Sequence, residues 1–204
     1  MGRILRLWSF IVNPIFIPAL VSLWYFNYAD FYDPEQARYK LYLITLLTAA
    51  IPLLIYLILK VLKLVRSVHL ETPRERIIPL GIYAALLIIL LRSVFSDFLH
   101  LSLYYFFLGV LAATVVAGVL SIVRYKISLH LMAMGGMLGF SLTMAIIAGI
   151  PMLYYIIGII IASGLTASSR LYMKAHKGHE LNFGFLVGLV AQLSMAQYYL
   201  EAIT

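Results

Sequence analysis

Apolar residues run along this chain in blocks of about twenty, the length that carries an α-helix across a bilayer. Seven such blocks lie near 4–26, 39–62, 77–95, 98–123, 127–147, 151–171 and 181–203. The first is the weakest. Asn13, Pro14 and Pro18 predict a break there into a re-entrant or interfacial piece, so the pattern gives six to seven crossings. Polar stretches at 27–38 and 63–76 read as loops, and the breaks at 96–97 and 149–151 are short. No internal repeat, low-complexity tract or linker marks a second domain. Residues 1–204 therefore read as one transmembrane domain, with an N-terminal helix and polar loop at 1–38.

Composition settles the class. Hydrophobic residues make up 64% of the chain, charged residues 11%, and mean hydropathy is +1.01. A soluble domain of 204 residues cannot hide that much apolar surface. The expected fold is an all-α integral membrane bundle. There is no cysteine, so disulfide and thiol chemistry are excluded. The net charge of +7 comes from basic residues flanking the apolar blocks. That pattern points to anionic lipid headgroups, not to nucleic acid. The first block is long, carries prolines and lacks a small-residue cleavage site, so it does not read as a signal peptide.

Three polar clusters interrupt the blocks: 74–76, 124–130 and 170–180. Two crossings separate the first from the second, and two more separate the second from the third. An even number of crossings returns the chain to the same side, so all three are expected on one membrane face. Twelve of the 15 basic residues fall on that face, against Arg38, Lys40 and Arg92 on the other. The positive-inside rule then places the cluster face in the cytoplasm.

The third cluster holds Arg170, His176 and Glu180. Ionisable groups at a membrane boundary ask for an explanation. His176 and Glu180 are four apart, a spacing that puts them on one face of a helix. A carboxylate orienting an imidazole suits a nucleophile or base, and Arg170 suits an anion. In the second cluster, Ser128 and His130 stand at the predicted start of a helix, where free N–H groups favour an anion. A capped helix with a headgroup-level histidine explains the same residues. In the first cluster, Arg74 and Arg76 suit a phosphate. Ordinary snorkelling explains them equally well. A metal held by His176, His179 and Glu180, with His130 joining, is the rival for the third cluster. Arg170, Lys174 and Lys177 would repel a dication, so neither a metal nor another cofactor is expected.

The spacing in the third cluster resembles the last signature of the type 2 phosphatidic acid phosphatase (PAP2) superfamily, which is Ser-Arg, five residues, His, three residues, Asp. Here Ser169-Arg170 is followed by five residues, His176, three more, and Glu180; Gly184 and Gly188 then follow at four-residue steps. Ile127-Ser128-Leu129-His130 is similar to the second signature, Pro-Ser-Gly-His. The first signature, Lys, six residues, Arg-Pro, is matched by Arg76 or Arg74 alone; His69 stands where the lysine would be, and the nearest following proline is Pro79. The resemblance covers roughly 60–190, which would be the motif-bearing core.

The resemblance implies a metal-independent phosphatase acting on a lipid phosphate or isoprenoid (di)phosphate. His176 would attack phosphorus and form a phosphohistidine, and Glu180 would orient its ring. His130 would be the acid and base. Arg170, Arg76 and Arg74, with Ser128, would hold the phosphoryl oxygens. It also implies a membrane of the bacterial inner (plasma) type, and family members are expected to work on the outer side, against the charge bias read here. The alternative is a catalytically degenerate relative that binds or moves an anionic lipid. An ion-coupled transporter fits less well, because most charges lie at the ends of the blocks.

Overall fold

The computed structural model describes residues 2–28, 33–65, 72–96 and 99–203, without the side chains of Arg3 and Ile4. His69, the residue at the lysine position of the first signature, lies outside them. The described residues form helices α1 (Gly2–Ile11), α2 (Ile17–Tyr28), α3 (Pro34–Thr45), α4 (Ile51–Val61), α5 (Pro73–Val94), α6 (Leu101–Ile122), α7 (Leu129–Ile146), α8 (Leu153–Tyr172) and α9 (Gly178–Ile203). A π-helical turn, Leu46–Ala50, joins α3 to α4, making one rod over Pro34–Val61. That rod and α5 to α9 are six helices long and apolar enough to cross a membrane. The chain is an integral membrane protein with an all-α bundle. Many large side chains on its outer surface are apolar, including Leu54, Val119, Ile146 and Ile161, as a lipid-facing surface requires.

The first block is cut where the prolines predicted. Asn13 Oδ1 accepts from the Ile15 amide at 3.1 Å, and the Phe16 amide donates to the Asn13 carbonyl at 3.0 Å. This local turn separates α1 from α2. The two short helices nonetheless run beside α8 in the opposite direction. Ser169 Oγ donates to the Leu5 carbonyl at 2.6 Å, Trp8 Nε1 donates to Thr166 Oγ1 at 3.0 Å, and the Trp24 ring meets Tyr155 at 5.4 Å between centroids. The block thus follows α8 from its C-terminal end to its N-terminal end, in two pieces.

Two expected loops are shorter than the sequence pattern implies. α3 starts at Pro34, inside the predicted 27–38 loop, because Asp33 caps it through the Glu35 amide at 3.0 Å. α5 starts at Pro73, where Thr72 Oγ1 accepts from the Glu75 amide at 3.4 Å. A capping oxygen followed by proline at the first helical position starts a helix earlier than hydrophobicity does. Arg74 and Arg76 therefore stand on the first turns of α5, not in a loop.

The apolar core gathers Leu87, Leu90 and Phe95 with Phe106, Phe107, Met134 and Phe140. The closest helix pair is α7 with α9. A side chain at Gly188 would collide with the Met132 carbonyl, and one at Gly135 with the Phe185 carbonyl. Small residues let these backbones touch. That contact sets the start of α7, which carries His130, directly against the start of α9.

Candidate functional site

The short connections on one face bring the clusters together. After α8 the chain ends its helix with Lys174 in the left-handed region (φ 52°), where the Ala175 amide donates back to the Arg170 carbonyl at 3.1 Å. This closing turn reverses the chain beside Arg170. It delivers His176 before α9 begins. His176 and Glu180 do meet, with Nδ1 2.8 Å from Glu180 Oε2. They do so across the helix start instead of along a helix face, since α9 begins only at Gly178. The same carboxylate oxygen accepts from the Lys177 amide at 3.2 Å, so Glu180 caps its own helix while holding the ring.

The segment before α7 is tied to this turn. The Ser128 amide donates to the Glu180 carbonyl at 3.0 Å, and Lys126 Nζ donates to the Ala175 carbonyl at 2.9 Å. Ser128 Oγ caps α7 through the Leu131 amide at 3.4 Å. Its side chain is fully buried in that role. From α5, an Arg76 guanidinium nitrogen donates to the Ile127 carbonyl.

Arg76, His130, Arg170 and His176 line one cavity of about 350 Å³. The rest of its wall is mostly apolar and comes from many helices, with Ile17 of α2, Tyr56 of α4, Tyr83 of α5, Val110 of α6, Ala133 of α7 and Gly188 of α9. Arg76 and Arg170 are each 2% exposed, and His176 is 8% exposed. Arg170 Nε is buried without a hydrogen-bond partner. An unpaired N–H on a buried guanidinium marks a place where an acceptor is missing. Arg74 is exposed and is not among the lining residues, and Ser128 is packed behind the cavity wall.

Burial pushes the His176 imidazole down to about 3, and the nearby charges of Arg76, Lys126 and Arg170 push the same way. The Glu180 carboxylate opposes this, but one anion faces three cations. The ring is therefore neutral at ordinary pH. Nδ1 carries the proton given to Glu180, which leaves the lone pair on Nε2. Among the described residues, no three His, Asp or Glu side chains gather as a metal site would need.

Two residues of this cluster were not singled out from sequence. Lys126 had a signal, because it stands two residues before Ser128. Ser9 had none. It accepts from Arg170 Nη1 at 2.8 Å through Oγ, and its carbonyl lies 3.2 Å from His130 Nε2. No protein-family model, curated sequence or solved structure matches the chain.

Proposed function

We propose that the protein is a membrane-embedded, metal-independent phosphatase that hydrolyses a lipid phosphate or an isoprenoid (di)phosphate. The observation that carries this reading is one cavity with two ends. Two buried arginines and two histidines stand at one end, and an apolar wall built from six helices makes the rest. A phosphate on an apolar tail has that same division of chemistry.

In this mechanism His176 Nε2 attacks phosphorus, forming an N–P bond as the bond to the lipid oxygen breaks. Glu180 accepts from Nδ1–H and stabilises the positive charge that develops on the ring. His130 gives a proton to the departing oxygen, then takes one from the water that attacks the phosphohistidine. That second attack breaks the N–P bond and returns His176 to its neutral form. Arg170 and Arg76 stabilise the equatorial oxygens, and such charge stabilisation supplies much of the rate in phosphoryl transfer. The site works on the cytoplasmic face by the charge bias, in a membrane of the bacterial inner type.

The degenerate alternative, a protein that binds or moves an anionic lipid, draws support from Arg76. It spends one donor on the Ile127 carbonyl. The test is phosphate release from a panel of lipid phosphates by the purified protein, with acid-labile phosphate on the chain trapped by rapid quenching. Release that His176→Ala abolishes together with the labile phosphate supports the enzyme. Binding that depends on Arg170, without turnover of any substrate, supports the alternative.

A further inference from the structure

The resemblance ends before α1, yet α1 reaches the centre of the site. Ser9 is 3% exposed and sits between the two groups that a phosphate would need. Its hydroxyl oxygen takes Arg170 Nη1 at 2.8 Å, and its carbonyl oxygen faces His130 Nε2 at 3.2 Å. The two oxygens thus hold a cationic donor and the ring nitrogen assigned to proton transfer. Both oxygens accept hydrogen bonds, as phosphoryl oxygens do.

The mounting of α1 differs from that of the spanning helices. It is only ten residues long, and the turn after Ile11 separates it from α2. It packs on α8, and its far side exposes Leu7, Phe10 and Ile11. Three hydrogen bonds from Thr166, Ser169 and Arg170 join the two helices. With α1 in place, Arg170, Arg76 and His176 are all buried.

We propose that Ser9 is a built-in stand-in for the phosphate, and that α1 is a displaceable cover over the headgroup end of the cavity. This rests on the phosphate-site reading above. An entering phosphate takes Arg170 and His130 from Ser9, and α1 swings about the 12–16 turn. Departure of phosphate lets Ser9 return, so the buried arginine keeps an acceptor between turnovers. The unpaired Arg170 Nε is a donor that Ser9 leaves unused and that a tetrahedral anion can take.

The test uses inorganic phosphate and the full chain in nanodiscs, with wild type, Ser9→Ala and Ser9→Asp. Removing the competing oxygen should tighten phosphate binding about 3- to 10-fold, the scale of one net hydrogen bond. An aspartate beside Arg170 should lock the cover and weaken binding by roughly 10-fold or more. In the wild type, phosphate should speed hydrogen exchange at the α1 amides from Leu5 to Val12. Weaker binding in Ser9→Ala would make Ser9 a ligand of the anion, and α1 exchange unchanged or slowed by phosphate would remove the cover. Either result with Arg170-dependent binding intact overturns the cover alone. If phosphate binds none of the three proteins, the phosphate-site reading falls and the cover falls with it.

Discussion

Glu180 Oε2 takes the Nδ1 proton of His176 at 2.8 Å from the first turn of a helix that His176 itself precedes. The carboxylate is anchored by a backbone amide, so its position is set independently of the ring. Glu180→Gln removes the charge while keeping the shape. It should slow phosphohistidine formation by about 10²–10⁴-fold with little loss of fold. Glu180→Asp should also be slower, because the shorter arm cannot cap α9 and reach Nδ1 together. Single-turnover labelling of both variants checks this.

The depressed His176 basicity has a sign that pH can read. The ring is protonated below about 6.5 in an unfolded chain but only near 3 in the folded one. Its contribution to stability is therefore fully present above pH 6.5 and is lost as pH falls from there towards 3. Thermal melts of wild type and His176→Gln in the same detergent should diverge over that window. The same depression means His176 stays neutral when the rate of phosphohistidine formation is followed from pH 5 to 8. An acid limb near 6.5 that belongs to His176 would contradict it.

Gly188 holds the two histidine-bearing segments at one distance. Gly188→Ala forces its Cβ into the Met132 carbonyl, so α7 and α9 must part. The expected loss is about 1–3 kcal/mol of stability, the usual range for overpacking. Activity should fall by more than the melting shift explains, since His130 and His176 separate. Gly158→Ala, on α8 with open space around the added carbon, is the matched control.

Arg170 is buried on three sides of its function: it meets Ser9, lines the cavity and keeps Nε unpaired. Arg170→Lys retains the charge but loses the planar fork. Phosphate affinity should drop about 10-fold or more, since truncating a charge-assisted pair removes about 1.5–3 kcal/mol. Calorimetry with inorganic phosphate measures it directly.

Thr204 ends a helix that starts on the motif face and crosses to the other. With the motif face in the cytoplasm, a reporter fused there should be active only outside. A cytoplasmic signal would reverse the orientation.

Hydrophobic block length was enough to find the rod over Pro34–Val61 and the five helices that follow it, because a bilayer imposes one length on all of them. It misplaced the starts at Pro34 and Pro73, because a capping side chain outranks hydropathy at a helix end. The four-residue spacing of His176 and Glu180 was legible, but its geometry was not. A left-handed Lys174 and a helix start at Gly178 depend on tertiary closure as well as on local residues. Ser9 was illegible for a different reason. A serine in an apolar block carries no pattern, and its contacts with Arg170 and His130 span 161 and 121 residues.

The π-helical turn at Leu46–Ala50 has a consequence for how this protein can diverge. Such a turn holds one residue more than an α-helix would, just before Pro52. Deleting one residue there would restore the α-helix and rotate everything after it by about 100°. Pro52, Leu53, Ile55 and Tyr56 would all leave the cavity wall, while Arg76, His130, Arg170 and His176 sit on other helices. A single codon lost or gained would therefore redraw the apolar wall and leave the cations where they are. Tail preference and headgroup chemistry are separate genetic dials in this architecture.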